Sequence, residues 1–292
     1  MQQQIRCLLA WLQQPEAAYT LLGHLPNPGE NTTQQQQLWE SAHAALQQRT
    51  PFAEEVPTLD PIPPEVQAQA DSFSQRPDVT AFFQGMDWAV GYANLNSVLS
   101  FQKTVVQEQA VERANAVIVE DAASLFSFCL PGAANAINLP AALDPDKKGV
   151  TLSSLNPNLR IAGHIVADID VAAAPGQPTS SQKFMGFAVN FGGQFVQIAE
   201  YNGRWFVRDG YHRCYGLLRR GIQRVPCVFI RAASFEQLVG DPTAFLSYET
   251  LFGPRPPFLK DFLNDSVSAN GLRMAFRKVV RVSAEEFVIA IE

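Results

Sequence analysis

Alternating apolar and polar positions predict β-strands in the second half of the chain, because a period of two places successive side chains on opposite faces of a sheet. Asn202-Gly203 lies between two of these segments, and this dipeptide supplies the positive φ that a two-residue hairpin turn requires. Gly192-Gly193 predicts a second turn of the same kind. The predicted strands cover residues 159–171, 184–191, 194–201, 204–208, 225–231 and 279–291.

Helical spacing of apolar residues dominates the first half of the chain. Leu38, Ala42 and Leu46 recur four positions apart, as on one buried helix face. Residues 82–101 are apolar on more than one face, which is typical of a buried helix. Several prolines between residues 51 and 64 exclude a continuous helix there. The predicted helices cover residues 2–22, 34–48, 64–73, 79–116 and 119–130.

These patterns together predict an α+β protein, with an N-terminal helical region packed on a small mixed β-sheet that has flanking helices. Residues 1–150 are predicted to be a mostly helical region of unknown role, and residues 151–292 to be the sheet domain. A chain of 292 residues is long enough for two ordinary domains. Its composition, 47% hydrophobic and 17% charged, favours a sizeable core over disorder.

Residues 204–221 predict a strand that turns directly into a helix. The strand ends at Asp209-Gly210, and the helix ends at Gly221, a residue type that suits the left-handed conformation after a helix. The first turn of a helix leaves backbone N–H groups without intrahelical partners, and the helix dipole adds partial positive charge there. We therefore expect an anion at the start of this helix.

Side chains in the same turn make phosphate the expected anion. Gly210 has no side chain that would keep an anion from the backbone, so the amides from Gly210 through Tyr211 to His212 are predicted to cradle a phosphate. His212 and Arg213 add donors, and an arginine can hold two phosphate oxygens at once. Asp209 is predicted to hold Mg²⁺ or to orient the site, although an aspartate here also suits a helix N-cap.

Charge along the chain supports a compact anionic ligand. The net charge is −6, yet residues 204–231 contain seven arginines and one aspartate, a net charge of +6 that leaves −12 for the rest. An acidic surface repels phosphate backbones on average, so a long nucleic acid is disfavoured as a partner. Arg219 and Arg220 are assigned to the exposed face of the helix. Lys103, Arg273, Arg277 and Lys278 are cations that other elements could bring to a nucleotide.

Other common sites are not indicated by the sequence. The four cysteines show no C-x-x-C pair, so neither a disulfide framework nor a metal site is predicted. No Walker loop, G-x-G-x-x-G or G-x-S-x-G pattern occurs. The N-terminal apolar run of residues 7–12 is far shorter than the roughly 18 residues of a membrane span. We therefore expect a cytoplasmic protein without a membrane partner.

Three consecutive segments carry a family resemblance. They read VRDG at the end of a predicted strand, YHRCYGLLRRG along the helix and RVPCVFI along the next strand. In this order and spacing they resemble the core of the ParB/sulfiredoxin-like superfamily, over residues 186–231. The resemblance implies that residues 151–292 form a ParB/sulfiredoxin-like domain. It also implies that ATP, ADP or CTP binds at the corner through His212 and Arg213, with Mg²⁺ as a further cofactor.

Departures from the family motifs separate its branches. In sulfiredoxins the reducing cysteine immediately precedes the histidine, but Tyr211 holds that position here and Cys214 follows Arg213. In partition proteins a helix-turn-helix DNA reader follows the core, and residues 231–292 show no such pattern. Sulfiredoxin chemistry and DNA partition are therefore both disfavoured.

The motif DGYHR of residues 209–213 resembles the DGHHR of ADP-dependent free serine kinases. This likeness implies a small-molecule phosphotransferase, in which Asp209 and His212 are the catalytic candidates. Such a reaction needs an acidic base to deprotonate the acceptor hydroxyl. Candidates for that base, by their position on nearby predicted strands, are Asp168, Asp170 and Glu200.

Three functions stay open at this point. The leading hypothesis is a protein that binds a nucleotide or another small phosphorylated ligand, either a phosphotransferase (kinase) or a nucleotide hydrolase. The second is a DNA-associated ParB-like module whose corner contacts backbone phosphate. The third is a noncatalytic interaction protein.

Overall fold

The chain forms an α+β protein of two compact units, and its fold class is the predicted one. The computed structural model describes residues 2–53, 57–132, 139, 141–145, 148–154, 159–172, 179–190, 195–239 and 245–289. The first unit consists of Met1–Ala133 and Gln194–Ala275, and the second of Ala134–Gly193 and Phe276–Glu292. The predicted division of the chain at residue 150 is therefore wrong, because strand pairing joins segments that are distant in sequence.

Short helices and strands alternate along the chain. The α-helices are α1 (Gln14–Leu22), α2 (Thr33–Gln48), α3 (Gln67–Ser74), α4 (Pro77–Phe82), α5 (Gln107–Asn115), α6 (Ala122–Cys129), α7 (Tyr211–Arg219), α8 (Phe235–Val239) and α9 (Tyr248–Phe252). The strands are β1 (Gln2–Cys7), β2 (Asp87–Asn94), β3 (Leu99–Ser100), β4 (Thr104–Val106), β5 (Ala141–Leu143), β6 (Gly149–Ser154), β7 (Arg160–Ala172), β8 (Thr179–Asn190), β9 (Gln197–Tyr201), β10 (Arg204–Asp209), β11 (Arg224–Arg231), β12 (Ala269–Met274) and β13 (Lys278–Ser283). Within the described parts of the chain, none of the helices has both the length and the apolar character that crossing a membrane requires.

A five-stranded sheet lies at the centre of the first unit, in the order β2-β11-β9-β10-β3. β9 and β11 run parallel, with Ile198 opposite Phe229, and residues 225–230 are all buried. A strand that is buried on both faces has a continuous apolar sequence, which is the pattern of this segment. The hairpin between β9 and β10 turns at Asn202 and Gly203, whose φ angles are 51° and 73°, and this predicted turn is confirmed.

The long helix predicted for residues 79–116 is wrong. α4 ends at Phe82, and the apolar segment that follows forms β2, which pairs along its whole length with β11. A short apolar run suits a buried strand as well as a buried helix, and only its partner decides between them. Gly91 lets the preceding segment of chain pack closely on β2, since a Cβ at Gly91 would lie 2.5 Å from Leu59 Cγ. Within the predicted segment, the end of α4 and the whole of α5 are helical as expected.

The predicted helix over residues 2–22 is wrong in its first part, which forms β1. This strand is the middle member of a three-stranded antiparallel sheet of order β12-β1-β4. Gln3 lies opposite Arg273 of β12, and Ile5 lies opposite Val106 of β4. The sheet therefore brings three distant parts of the chain together. The helices predicted for residues 34–48, 64–73 and 119–130 are confirmed as α2, α3 and α6, with small differences at their ends.

The second unit consists of β-strands in two groups. β13, β6 and β5 form an antiparallel sheet, and β7 pairs with β8 in a separate antiparallel ribbon. The predicted strands over residues 159–171 and 184–191 correspond to this ribbon. The final predicted strand, 279–291, ends at Ser283 in the structure. The predicted turn at Gly192-Gly193 lies outside the described residues.

Candidate phosphate-binding site

The strand–helix corner predicted at Asp209-Gly210 is present, with β10 leading directly into α7. Gly210 has a φ of +89°, a conformation that side chains rarely adopt. A Cβ at Gly210 would also lie 3.0 Å from the Cα atom of Val196 in the adjoining chain. The missing side chain therefore makes room for Val196, and the approach of an anion to the backbone at Gly210 stays a prediction.

The side chain of Asp209 bonds to the backbone of the next residue, Gly210. The Oδ1 atom of Asp209 accepts the N–H of Gly210 over 2.6 Å, so this amide is not available to a phosphate. The first intrahelical bond runs from Cys214 N to Gly210 O, 2.9 Å. By helix geometry, the N–H groups of Tyr211 and His212 precede that bond and have no intrahelical acceptor. The predicted cradle is thereby reduced to the amides of the first turn of α7.

Tyr211 has a structural side chain. Its ring is buried, and its hydroxyl donates to the carbonyl of Val207 and accepts the N–H of Phe101 over 2.9 Å. Burial raises the pKa of this phenol well above its ordinary value. The hydroxyl ties β10 to the segment after β3, so only the backbone of Tyr211 can meet a ligand at the corner.

His212 is oriented by a backbone amide from another sheet. The N–H of Val106, at the start of α5, donates to Nε2 of His212 over 3.1 Å. Because Nε2 accepts this bond, the ring proton of the neutral imidazole lies on Nδ1. Burial, followed by the positive charges of Arg113 and Arg273, lowers the pKa of His212 from 6.5 to about 4. At neutral pH the ring is uncharged, and Nδ1 is the ring donor it can offer to a phosphate.

Arg213 lies in the first turn of α7 beside α6. Its guanidinium carbon lies 5.9 Å from the ring centroid of Phe128. Burial lowers the pKa of Arg213, while the negative charge of Asp209 raises it. An arginine stays protonated under such shifts, so Arg213 keeps a positive charge that Asp209 partly balances.

Two further cations approach the corner from other elements. Arg113, on the last turn of α5, acts electrostatically on both His212 and Arg213. Arg273 on β12 acts on His212, and its Nε donates to the side-chain oxygen of Gln3 over 3.2 Å. Burial lowers the pKa of Arg273. Both of the charges that lower the pKa of His212 are thus positive.

Close packing of two helices positions Arg113. A Cβ at Gly216 of α7 would lie 2.4 Å from the carbonyl oxygen of Ala110 in α5, so the helices touch through their backbones at this point. Arg220 donates to the carbonyls of Ala114 and Val117 at the end of α5. The assignment of Arg220 to an exposed face is therefore wrong. No local pattern around Arg113 indicates this approach, which depends on the glycine of a distant helix.

The other arginines of residues 204–231 do not form a single patch. Arg224 pairs with Asp60, and Arg231 pairs with Asp87 at 3.3 Å. Arg204 and Arg208 donate to backbone carbonyls. The positive charge of this segment is therefore spread over the fold. Arg213 is the arginine of this segment that lies in the first turn of α7.

Two of the three predicted acidic bases, Glu200 and Asp168, have other partners. Glu200 accepts the N–H of Gly203 within its hairpin turn, 3.0 Å. Asp168 pairs with Lys183 across the ribbon of the second unit, 2.8 Å, and Asp170 lies on the same strand. The base of the predicted reaction therefore stays unassigned. Among the described residues, no group of three or more His, Cys, Asp and Glu side chains is suited to a metal ion.

Comparison of the chain with protein-family models, with curated proteins and with solved structures found no match. The resemblance to the ParB/sulfiredoxin-like superfamily therefore rests on the motif of residues 186–231 and stays a prediction.

Proposed function

We propose that the protein binds the phosphate groups of a nucleotide at the first turn of α7. The observation that carries this proposal is the first turn of α7, where N–H groups without intrahelical acceptors adjoin the side chains of His212 and Arg213. The positive charges of Arg113 and Arg273 also act on the half-buried ring of His212. Arg113 is exposed and Arg273 is half-buried, so solvent screens part of their repulsion, and a bound anion relieves the part that remains. The helix dipole at the same turn favours the same sign of ligand.

Each group at the corner has a distinct part in this binding. Arg213 holds phosphate oxygens through its fork of N–H groups, and the negative charge of Asp209 favours the charged guanidinium. The Nδ1–H of His212 donates a further bond, since its Nε2 is engaged by Val106. With a pKa of about 4, His212 is neutral at pH 7, so we assign it to positioning and not to proton transfer.

Phosphoryl transfer to a small acceptor is the activity that we propose for this site, with ATP, ADP or CTP as the nucleotide. Catalysis of this reaction consists mainly of positioning and charge stabilisation, for which a cluster of arginines is suited. Mg²⁺ commonly binds through one or two carboxylates together with substrate phosphates. Asp209 is the carboxylate that we assign to that ion.

Calorimetric titration with ATP, ADP and CTP, each with MgCl₂, tests the proposal. We expect saturable binding of at least one nucleotide to the wild type. Arg213→Gln removes a charge-assisted pair of bonds worth about 1.5–3 kcal/mol, so affinity should fall about 10- to 100-fold. Arg219→Gln is the matched control, because it removes the same charge from an exposed position on the same helix.

Two outcomes would refute nucleotide binding at the corner. One is an absence of binding by any of the three nucleotides, and the other is equal binding by the wild type and Arg213→Gln. Titration with duplex DNA at several salt concentrations separates the DNA-associated alternative. A steep loss of affinity with salt, together with no nucleotide binding, would favour that alternative.

A further inference from the structure

A cavity of about 480 Å³ lies in the first unit, away from the corner. Its walls are the turn after β2, the start of β11, the segment that begins the 3-10 helix at Leu259–Leu263, and residues of the connector before α3, among them Phe52 and Asp60. Residues 209–213 are not among its lining residues. The volume lies within the range of roughly 300–1,000 Å³ that small-molecule sites occupy. The cavity is therefore large enough for a ligand of its own.

One wall of the cavity carries an arginine that is held in position. Arg224 donates from Nε to Oδ2 of Asp60 over 2.9 Å, and a second guanidinium nitrogen reaches the same oxygen. Asp60 is itself fixed, because its backbone exchanges hydrogen bonds of 2.9 and 3.0 Å with Tyr92 of β2. Both side chains line the cavity. Arg224 is thus oriented before any ligand arrives, and its remaining N–H groups can still donate.

A lysine that also lines the cavity has no acidic partner among the residues that the structure describes. Its ammonium nitrogen, in Lys260, lies 4.9 Å from the ring centroid of Phe258. Phe258 packs against Phe52 with ring centroids 5.8 Å apart, and all three side chains line the cavity. A cation beside the ring of Phe258, next to the ring of Phe52, suits an anion attached to a planar group.

Polar groups of the turn after β2 complete the lining. Asn94 accepts the N–H of Asn96 with its side-chain oxygen over 3.0 Å, which leaves its amide nitrogen as a donor. The turn is fixed to the residue before β11 by a bond of 2.8 Å from Leu95 N to Gln223 O. The aromatic wall is fixed as well, since Phe258 N donates to Asp261 over 2.7 Å. The cavity is therefore preformed on both sides, as small-molecule sites usually are.

We infer that this cavity binds a small organic anion with a planar ring, independently of the nucleotide phosphates at the corner. The oxyanion contacts Lys260 and Arg224, and the ring lies against Phe52 and Phe258. Polar substituents of the ring meet Asn94. An aromatic carboxylate and a nucleoside monophosphate share this chemistry, and separate titrations distinguish them.

Titration with benzoate and with AMP, monitored by ligand-observed NMR, tests this site. We expect one of the two to bind, and Lys260→Gln to weaken it about tenfold or more, since one charge-assisted bond is lost. Arg219→Gln removes one positive charge from an exposed position of the first unit that does not line the cavity, and it should leave binding unchanged. Lys260 is itself exposed, so its replacement leaves the fold intact. Cyclohexanecarboxylate, which lacks the planar ring, should bind more weakly than benzoate.

Three results would overturn the inference. The first is that neither benzoate nor AMP binds. The second is that Lys260→Gln and the wild type bind equally well. The third is that AMP binding is lost in Arg213→Gln and kept in Lys260→Gln, which would place the nucleotide at the corner alone.

Discussion

Replacement of His212 by glutamine is expected to remove a pH dependence of stability that the wild type shows in mildly acidic solution. In the folded protein His212 has a pKa of about 4, against 6.5 when the ring is free of the fold. Above pH 6.5 the ring is neutral in both states, and its contribution to stability is complete. As the pH falls towards 4, His212 binds a proton in the unfolded chain but not in the folded protein, so stability is lost.

The size of the effect follows from the two pKa values. A fall from 6.5 to about 4 corresponds to about 3 kcal/mol of unfolding free energy, of which about 2 kcal/mol is lost by pH 5. Glutamine can still accept the N–H of Val106 with its side-chain oxygen but carries no proton-binding nitrogen. At pH 7 the variant should therefore lose only about 1 kcal/mol.

Urea unfolding of both proteins between pH 5 and 7 measures this difference. Carboxylates titrate in the wild type and in His212→Gln alike, so they cancel when the two unfolding free energies are subtracted. We expect the difference to change by about 2 kcal/mol across the range, with the wild type losing more stability at low pH. Parallel pH profiles of the two proteins would refute the burial of a neutral His212 between cations.

Two further substitutions test the geometry of the corner. Gly210→Ala should destabilise the protein by about 2 kcal/mol in urea unfolding, because a positive φ and the nearby Val196 both oppose a Cβ. Gly221→Ala, at a φ of +78° with open space around it, should cost about 1 kcal/mol, and equal losses would contradict the contact with Val196. Tyr211→Phe should cost about 2 kcal/mol, since the buried N–H of Phe101 loses its acceptor, and nucleotide affinity should not change. A fall in affinity in that variant would mean that the phenol contacts the ligand.

Local signals in the sequence predict the hairpin, the corner and the last part of the sheet. Asn202-Gly203 and Gly221 are residues that adopt a positive φ at little cost, so their turns can be found without knowledge of the rest of the fold. Helix α7 can be predicted from the same kind of local signal, because Gly221 marks its end. The strand β11 has a continuous apolar sequence bounded by arginines, and its length suits a strand.

Distant pairings explain the parts that the sequence does not predict. β2 has an apolar pattern that suits a helix equally well, and its pairing with β11 is what makes it a strand. β1 is polar over Gln2, Gln3 and Gln4, and it becomes a strand because β12 and β4 flank it. Tertiary contacts override weak local propensity in both cases.

The same reason limits prediction of the site. His212 and Arg213 are found from their position after a strand. The acceptor role of His212, however, depends on Val106, which lies 106 residues earlier in the chain. Arg113 reaches the corner only through the close approach of α5 and α7 at Gly216. A local motif therefore identifies the turn, and the surrounding charges become apparent only in the folded structure.

A crystal structure of the protein with ADP and Mg²⁺ tests the central claim most directly. The account predicts that a phosphate group lies within hydrogen-bond distance of the Arg213 guanidinium and of the backbone amides at the start of α7. A nucleotide bound elsewhere, with no phosphate at that turn under conditions where calorimetry shows saturation, would contradict it.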